Sequence, residues 1–209
     1  MTHNLSPSKL NLMEDCPRCF WLSVVKKINR PRGPMSSLPI KMDSLLKKYF
    51  NKYREKGKLP PIIDGMVIGK LPTGMPKTLY FEENGIKFKG LPDEYLTLED
   101  GSIVAFDHKT ASKPPDKIHS SYQLQLDSYA FLLKSNGYKT KNVAFLAYYF
   151  PCECEIHQGL DIQCKILKIK TNATRVNNLL ENAGNLLSKK MPKASEDCEY
   201  CKWAVRLKS

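Results

Sequence analysis

An α/β fold is the class this chain predicts, because segments with the 3.6-residue period of amphipathic helices alternate with short runs that favour strands. Three observations carry that expectation. Ile40, Met42, Leu45, Leu46, Tyr49, Phe50 and Tyr53 recur at the i, i+3, i+4 spacing of a helix with one apolar face. Tyr95-Leu96-Thr97-Leu98 and Ile103-Val104-Ala105-Phe106 are apolar and β-branched, and Glu99-Asp100-Gly101 between them is turn chemistry. A helical stretch over 120–134, stopped by Asn136-Gly137, then separates this hairpin from further strands.

The elements follow in order. Ser6-Pro7 predicts a helix start with proline in its first turn, running toward Ile28. Pro31, Gly33, Pro34 and Pro39 interrupt the chain before the second helix, and Pro60-Pro61 ends that helical region. Strands are expected over 66–71, 78–82, 86–90, 93–98 and 102–107, and after the central helix over 143–150 and 162–169. A last helix is expected over 173–188. The 209 residues contain 42% hydrophobic side chains and no repeat, enough for one substantial core. We therefore expect one domain over 1–209, with a basic helical part over 1–60, a sheet core over 61–170 and a C-terminal helix and cysteine segment over 171–209.

Charge narrows the partner. Lys and Arg number 33 against 21 Asp and Glu, giving +12, and residues 1–60 hold 13 basic and 4 acidic side chains. A surface so charged suits a phosphate backbone, which is bound electrostatically. The patch comprises Lys26, Lys27, Arg30, Arg32, Lys47, Lys48, Lys52, Arg54, Lys56 and Lys58. Tyr49 and Tyr53 interleave with it, at a spacing that fits a core stripe as well as base stacking. No apolar run of about 18 residues and no secretory signal is present, so no membrane is expected and a soluble cytoplasmic protein is the default.

The hairpin holds the residues with chemistry. With Gly101 left-handed in a three-residue turn, facing residues sum to 200 and Asp93 stands opposite Asp107. A two-residue Asp100-Gly101 turn would instead oppose Asp93 to His108. Lys109, two residues beyond Asp107, shares its strand face, whereas the His108 side chain points the other way. Two carboxylates can hold a hard cation such as Mg²⁺ or Mn²⁺, and a lysine beside them can orient a nucleophile or stabilise charge at phosphorus. A single Asp-x-Lys is common at strand ends. Gln125 and Tyr129, four apart, share one face of the following helix.

Seven cysteines are present, four of them as Cys16-x-x-Cys19 and Cys198-x-x-Cys201. Paired thiolates at this spacing are metal-ligand candidates for Zn²⁺ or an iron–sulfur cluster, and a site built from both pairs would clamp the two ends together. A disulfide framework fits poorly with a chain this large, without a signal and with an odd cysteine count. Cys152, Cys154 and Cys164 lie in or beside predicted strands as packing residues or free thiols.

Taken together, Gly90-x-x-Asp93, Asp107-His108-Lys109 and Gln125-x-x-x-Tyr129 resemble the PD-(D/E)XK nuclease superfamily in its RecB-like branch. The resemblance implies a restriction-endonuclease-like core with a mixed central sheet flanked by helices. It implies Asp93, Asp107 and the backbone carbonyl of His108 as ligands of Mg²⁺ or Mn²⁺, Lys109 as the catalytic lysine, and Gln125 and Tyr129 lining the active site and the DNA path. An upstream histidine or acid is usual in such enzymes, and Asp43 is the candidate on this chain. Leu5-Ser6-Pro7-Ser8-Lys9-Leu10 and Cys16-Pro17-Arg18-Cys19-Phe20-Trp21 are similar to CRISPR-associated RecB-family exonucleases and the AddB nuclease domain, which carry a [4Fe-4S] cluster on one N-terminal and three C-terminal cysteines. By that likeness Cys16, Cys19, Cys198 and Cys201 would hold a [4Fe-4S] cluster, with Zn²⁺ as the alternative. The activity implied is DNA hydrolysis by an exonuclease or end-processing enzyme of repair, recombination or CRISPR adaptation, on single-stranded DNA or duplex ends. The alternative is a non-catalytic nucleic-acid-binding module that keeps the clasp.

Overall fold

The structure is a computed structural model that describes residues 2–31, 33–34, 36–154 and 159–206. Arg32 of the expected basic patch lies outside the described residues.

Pro17 shapes the N-terminal region. The residue before a proline is driven to extended backbone, and Cys16 has φ −156° and ψ 109°. The single helix expected toward Ile28 is therefore broken into α1 (Pro7–Asp15) and α2 (Pro17–Trp21), continued by a π-helical turn, Leu22–Lys26, that ends on left-handed Lys27. A short strand not foreseen from the sequence, β1 (His3–Leu5), precedes them and pairs in parallel with β3 (Ile86–Gly90). β3 also pairs antiparallel with β2 (Leu79–Glu83), making a three-stranded sheet of order β1-β3-β2.

The second sheet has the order β4-β5-β6-β7, from β4 (Glu94–Thr97), β5 (Ile103–Thr110), β6 (Val143–Cys154) and β7 (Gly159–Lys170). Its β5–β6 pair is parallel and the outer pairs antiparallel, so the sheet is mixed. Helix α4 (Ser120–Ser135) makes the crossover that a parallel pair needs. Side chains alternate across this sheet. Ala105, Ala144, Leu146 and Tyr148 pack with Leu126 and Tyr129 of α4, whereas Val104, Phe106, Phe145, Ala147 and Tyr149 pack with Leu46 and Phe50 of α3 (Ser37–Arg54). The other face of α4, with α1 and α5 (Ala173–Leu187), covers the three-stranded sheet through Leu10, Phe88, Leu124, Phe131, Leu132 and Val176. The architecture is the expected α/β type, mixed sheets flanked by helices, except that the strands form two sheets.

Two sequence expectations need correction. Residues 66–71 form no strand beyond one bridge between Lys70 and Thr97, because Gly65 and Gly69 take φ of +74° and +139° and bend the chain. On α3 the apolar stripe is narrower than expected: Leu46 and Phe50 are buried, Met42, Tyr49 and Tyr53 half-buried, and Ile40 and Leu45 exposed.

The turn at 99–101 sets the register of the β4–β5 hairpin. Leu98 N–H donates to the Ser102 carbonyl at 2.8 Å, Gly101 N–H donates to the Leu98 carbonyl at 2.9 Å, and Gly101 has φ +77°. Facing residues accordingly sum to 200, from Thr97↔Ile103 to Glu94↔Phe106. Asp100 braces the turn by accepting hydrogen bonds from Ser102 Oγ and N–H at 2.9 and 3.1 Å and pairing with Lys141 at 2.9 Å. Lys141 and Ser102 hold its carboxyl well below the usual carboxylate range. A folded-state pKa below the unfolded value contributes stability above the unfolded pKa of about 3.9 and loses it as pH falls through the folded value. Asp100→Asn is therefore expected to lower Tm at pH 7 and to match the parent in melts run at strongly acid pH, where both side chains are neutral.

Candidate active site

Gly90 ends β3, and Leu91-Pro92-Asp93 leads directly into β4, so one extended segment joins the two sheets. The glycine is required by packing. A Cβ at position 90 would stand 2.6 Å from Leu132 Cδ1 and 3.2 Å from two ring atoms of Tyr129. Gly90→Ala must displace the Leu132 methyl and crowd the Tyr129 ring, and we expect it to destabilise by about 1–3 kcal/mol, read as a lower urea midpoint.

Asp93 follows at the entry to β4, and its Oδ2 accepts the His108 N–H at 3.2 Å. Asp107 and Lys109 project from β5 toward α4, and Lys109 Nζ pairs with Asp107 Oδ2. Gln125 Nε2 donates to Asp107 Oδ1 at 3.2 Å and to Tyr129 Oη at 2.8 Å, and Tyr129 Oη donates to the Leu91 carbonyl at 3.0 Å. This chain of bonds ties the helix to Asp107 and to the Leu91 carbonyl, with Gln125 reaching the carboxylate and Tyr129 bonded to Gln125. Asp43 also arrives at the site. Lys47, one turn further along α3, lies 2.8 Å from Asp43 Oδ2 and 3.6 Å from Asp93 Oδ1.

The electrostatics follow from burial. Asp107 is 1% exposed, and burial pushes its carboxyl up to about 7 against the downward pull of Lys109. Asp93 adds to the upward push. His108 faces the opposite side of β5, among Phe50, Phe106 and Tyr149, with Nδ1 3.0 Å from Tyr149 Oη. Burial lowers its pKa to about 4, so the ring is neutral, and its side chain is not on the face of Asp107 and Lys109. Only the His108 backbone is available there as an oxygen donor. All candidate donors are oxygens, the chemistry that suits a hard divalent cation. Among the described residues, however, these carboxylates do not draw as close together as the four cysteines do.

A pattern for the PD-(D/E)XK nuclease superfamily matches residues 43–206, from Asp43 through the whole carboxylate set. The chain belongs to this superfamily. No curated protein sequence matches it. Among solved structures, the crystal structure of SSO0001 is 14% identical, with a TM-score of 0.53 over 98% of this chain and 86% of that one, a likeness of fold. Two structures of LHK-Exo also match: an alkaline exonuclease from Laribacter hongkongensis (12% identity, TM-score 0.43, 99% and 95% of the chains) and its complex with dAMP (13%, 0.43, 98% and 94%).

Several residues of this nuclease's site were not singled out from the sequence. Tyr122 carries Lys109 Nζ 4.9 Å above its ring. Glu94, buried beside Asp93, pairs with Arg54, and burial raises its pKa against that pairing. Lys47 had been read as part of a phosphate-binding patch, although its i, i+4 spacing from Asp43 was the available signal. The patch is correspondingly smaller than expected. Arg54 is engaged by Glu94, Arg30 by Asp15 and Tyr200, and Lys27 by the Val24 carbonyl.

The cysteine clasp stands apart from these carboxylates. Cys16 is the residue between α1 and α2 and Cys19 lies within α2, while Cys198 precedes and Cys201 lies within α6 (Glu199–Arg206), a helix with no buried residue. Their four sulfurs lie within 4.8 Å of one another, with pairs at 3.6 Å, 3.6 Å and 3.9 Å. Burial opposes ionisation of Cys16, but backbone N–H groups of Cys19 and Ser195 bring it down to about 6. Cys19 and Cys201 are raised by burial and by their sulfur neighbours. The cluster therefore accommodates one negative charge readily, and ionising all four thiols calls for a bound cation. Arg30 extends to Cys198 Sγ at 3.3 Å and stacks 4.5 Å over Tyr200, an outer partner for a metal-bound thiolate.

Proposed function

We propose that this nuclease hydrolyses DNA phosphodiester bonds with Mg²⁺ or Mn²⁺, as an exonuclease or end-processing enzyme on single-stranded or duplex ends. The observation that carries it is the joint placement of Asp93, Asp107 and Lys109 at one point of the β4–β5 hairpin, held from α4 by Gln125. Asp93, Asp107, the His108 carbonyl and Asp43 would hold the cation. Once bound, such a cation supplies an acidified water and offsets charge growing on the phosphate oxygens. Lys109, which pairs with Asp107, would orient the attacking water or the scissile phosphate. Gln125 keeps Asp107 in its rotamer, and Tyr129 locks Gln125 to the Leu91 carbonyl. Cavities of about 450 and 490 Å³ open beside Leu91. The first is lined by Ser8, Lys89, Tyr122 and Gln125, the second by Lys47, Asn51, Arg54 and Lys77. They leave room for nucleotide on either side of the carboxylates.

End-labelled linear and circular DNA, single-stranded and duplex, incubated with Mg²⁺, Mn²⁺ or EDTA, tests this reading. Metal-dependent loss of linear DNA with circles spared is expected. Binding without cleavage under either metal refutes the enzyme and leaves a nucleic-acid-binding module.

For the clasp, the sulfur spacing favours a single tetrahedral ion. Zn–S bonds of about 2.3 Å place ligand sulfurs about 3.8 Å apart, close to the 3.6–3.9 Å separations observed. A [4Fe-4S] cluster takes one thiolate at each corner and needs them farther apart. Anaerobic absorbance with metal analysis distinguishes a colourless one-zinc protein from a brown iron protein.

A further inference from the structure

We propose that Lys47 is a resident cation of the nuclease metal site, spanning Asp43 and Asp93 until a divalent ion takes its place, and thereby setting the affinity of that site. The inference rests on Asp43 and Asp93 being cation ligands, as proposed above. Two lysines pair with the three candidate carboxylates: Lys109 with Asp107, and Lys47 at 2.8 Å from Asp43 Oδ2 and 3.6 Å from Asp93 Oδ1. The ammonium group thus stands between two oxygens from different elements, α3 and the entry to β4, both of them among the groups that would hold the ion. Burial works against its charge, but the Asp43 hydrogen bond and the charges of Asp93 and Asp43 raise its pKa, so it remains a cation. Its side chain is 47% exposed and borders the cavity of about 490 Å³, which can receive it after displacement. Without this lysine, Asp43 and Asp93 would repel each other in the metal-free protein. With it, an incoming ion must break two ion pairs and meets a site already partly neutralised.

Mn²⁺ titration followed by electron paramagnetic resonance at pH 8 tests the proposal without recourse to activity. Lys47→Met keeps helix propensity and sits on an exposed face, and a thermal melt verifies its fold; Lys47→Gln serves as a second variant. We expect Mn²⁺ to bind both variants about fivefold more tightly than the parent, the change that removing roughly 1 kcal/mol of competing ion pairs produces. Unchanged or weaker binding in both overturns the role of Lys47. Asp43→Asn and Asp93→Asn are run in parallel and are expected to weaken binding. If they do and the lysine variants do not tighten it, the inference alone fails. If neither acid matters, the ligand assignment fails and takes the inference with it.

Discussion

Asp107→Ala or Lys109→Ala is expected to lower metal-dependent cleavage by at least about 10²–10³-fold, the range seen when one group that stabilises developing charge is removed, while DNA binding changes little. The two side chains share a face of β5 and depend on one another. Asp107 is nearly inaccessible and Lys109 is its only cationic partner among the ion pairs of the described residues. Removing the acid leaves Lys109 without its carboxylate and the Gln125 amide with Tyr129 Oη alone, and removing the lysine leaves a buried carboxyl that holds its proton more firmly. Both effects strike the proposed metal site, and neither touches the basic surface that would carry DNA. Single-turnover cleavage, paired with a binding measurement in Ca²⁺, separates the terms; parental activity in either variant would refute the assignment. The same carboxyl makes a pH prediction. Its folded-state pKa of about 7 lies above the ordinary carboxylate value, so below pH 7 a proton and the cation compete for it. Mn²⁺ affinity should fall with decreasing pH below about 7 and level off above it.

The second large effect is on stability. Cys16→Ala or Cys198→Ala is expected to cost at least about 3 kcal/mol, or roughly 6–12 °C in Tm for a chain of this size. Helix α6 buries no residue of its own. Its attachment comes from Cys198, Cys201 and the stacking of Tyr200 on Arg30, whose own contact to Cys198 Sγ depends on the clasp. Loss of one thiolate should release the metal and free the C-terminal segment to limited proteolysis. Cys152→Ala, which changes a partly exposed thiol on β6, should leave both metal content and Tm unchanged. An equal loss in that control, or retention of metal and Tm in the clasp variants, would show that the four sulfurs do not hold the ends together.

Much of this was legible in the residues because the decisive features are local. Asn136-Gly137 stops α4, and Glu99-Asp100-Gly101 narrows the hairpin to two turns, of which the structure takes the three-residue one, so that strand pairing sums to 200. Period two then places Lys109 with Asp107 and turns His108 to the other side. Pro17 was visible, and its restriction of Cys16 to extended backbone was a local signal for the break that the expected single helix passed over. Other features missed are those that local pattern does not encode. The pairing of β1 beside β3 joins residues some 80 positions apart, which no short-range period reports.

By itself, then, the sequence determined helices α3, α4 and α5, strands β2 to β7 and the strand face that Asp107 shares with Lys109, since turn chemistry and side-chain alternation act over a few residues. Tertiary structure alone decided the division into two sheets, the burial that lifts Asp107, and the placing of α3 so that Asp43 and Lys47 reach Asp93. Those depend on which surfaces pack together, and a carboxylate's proton affinity and a lysine's partner are properties of that packing.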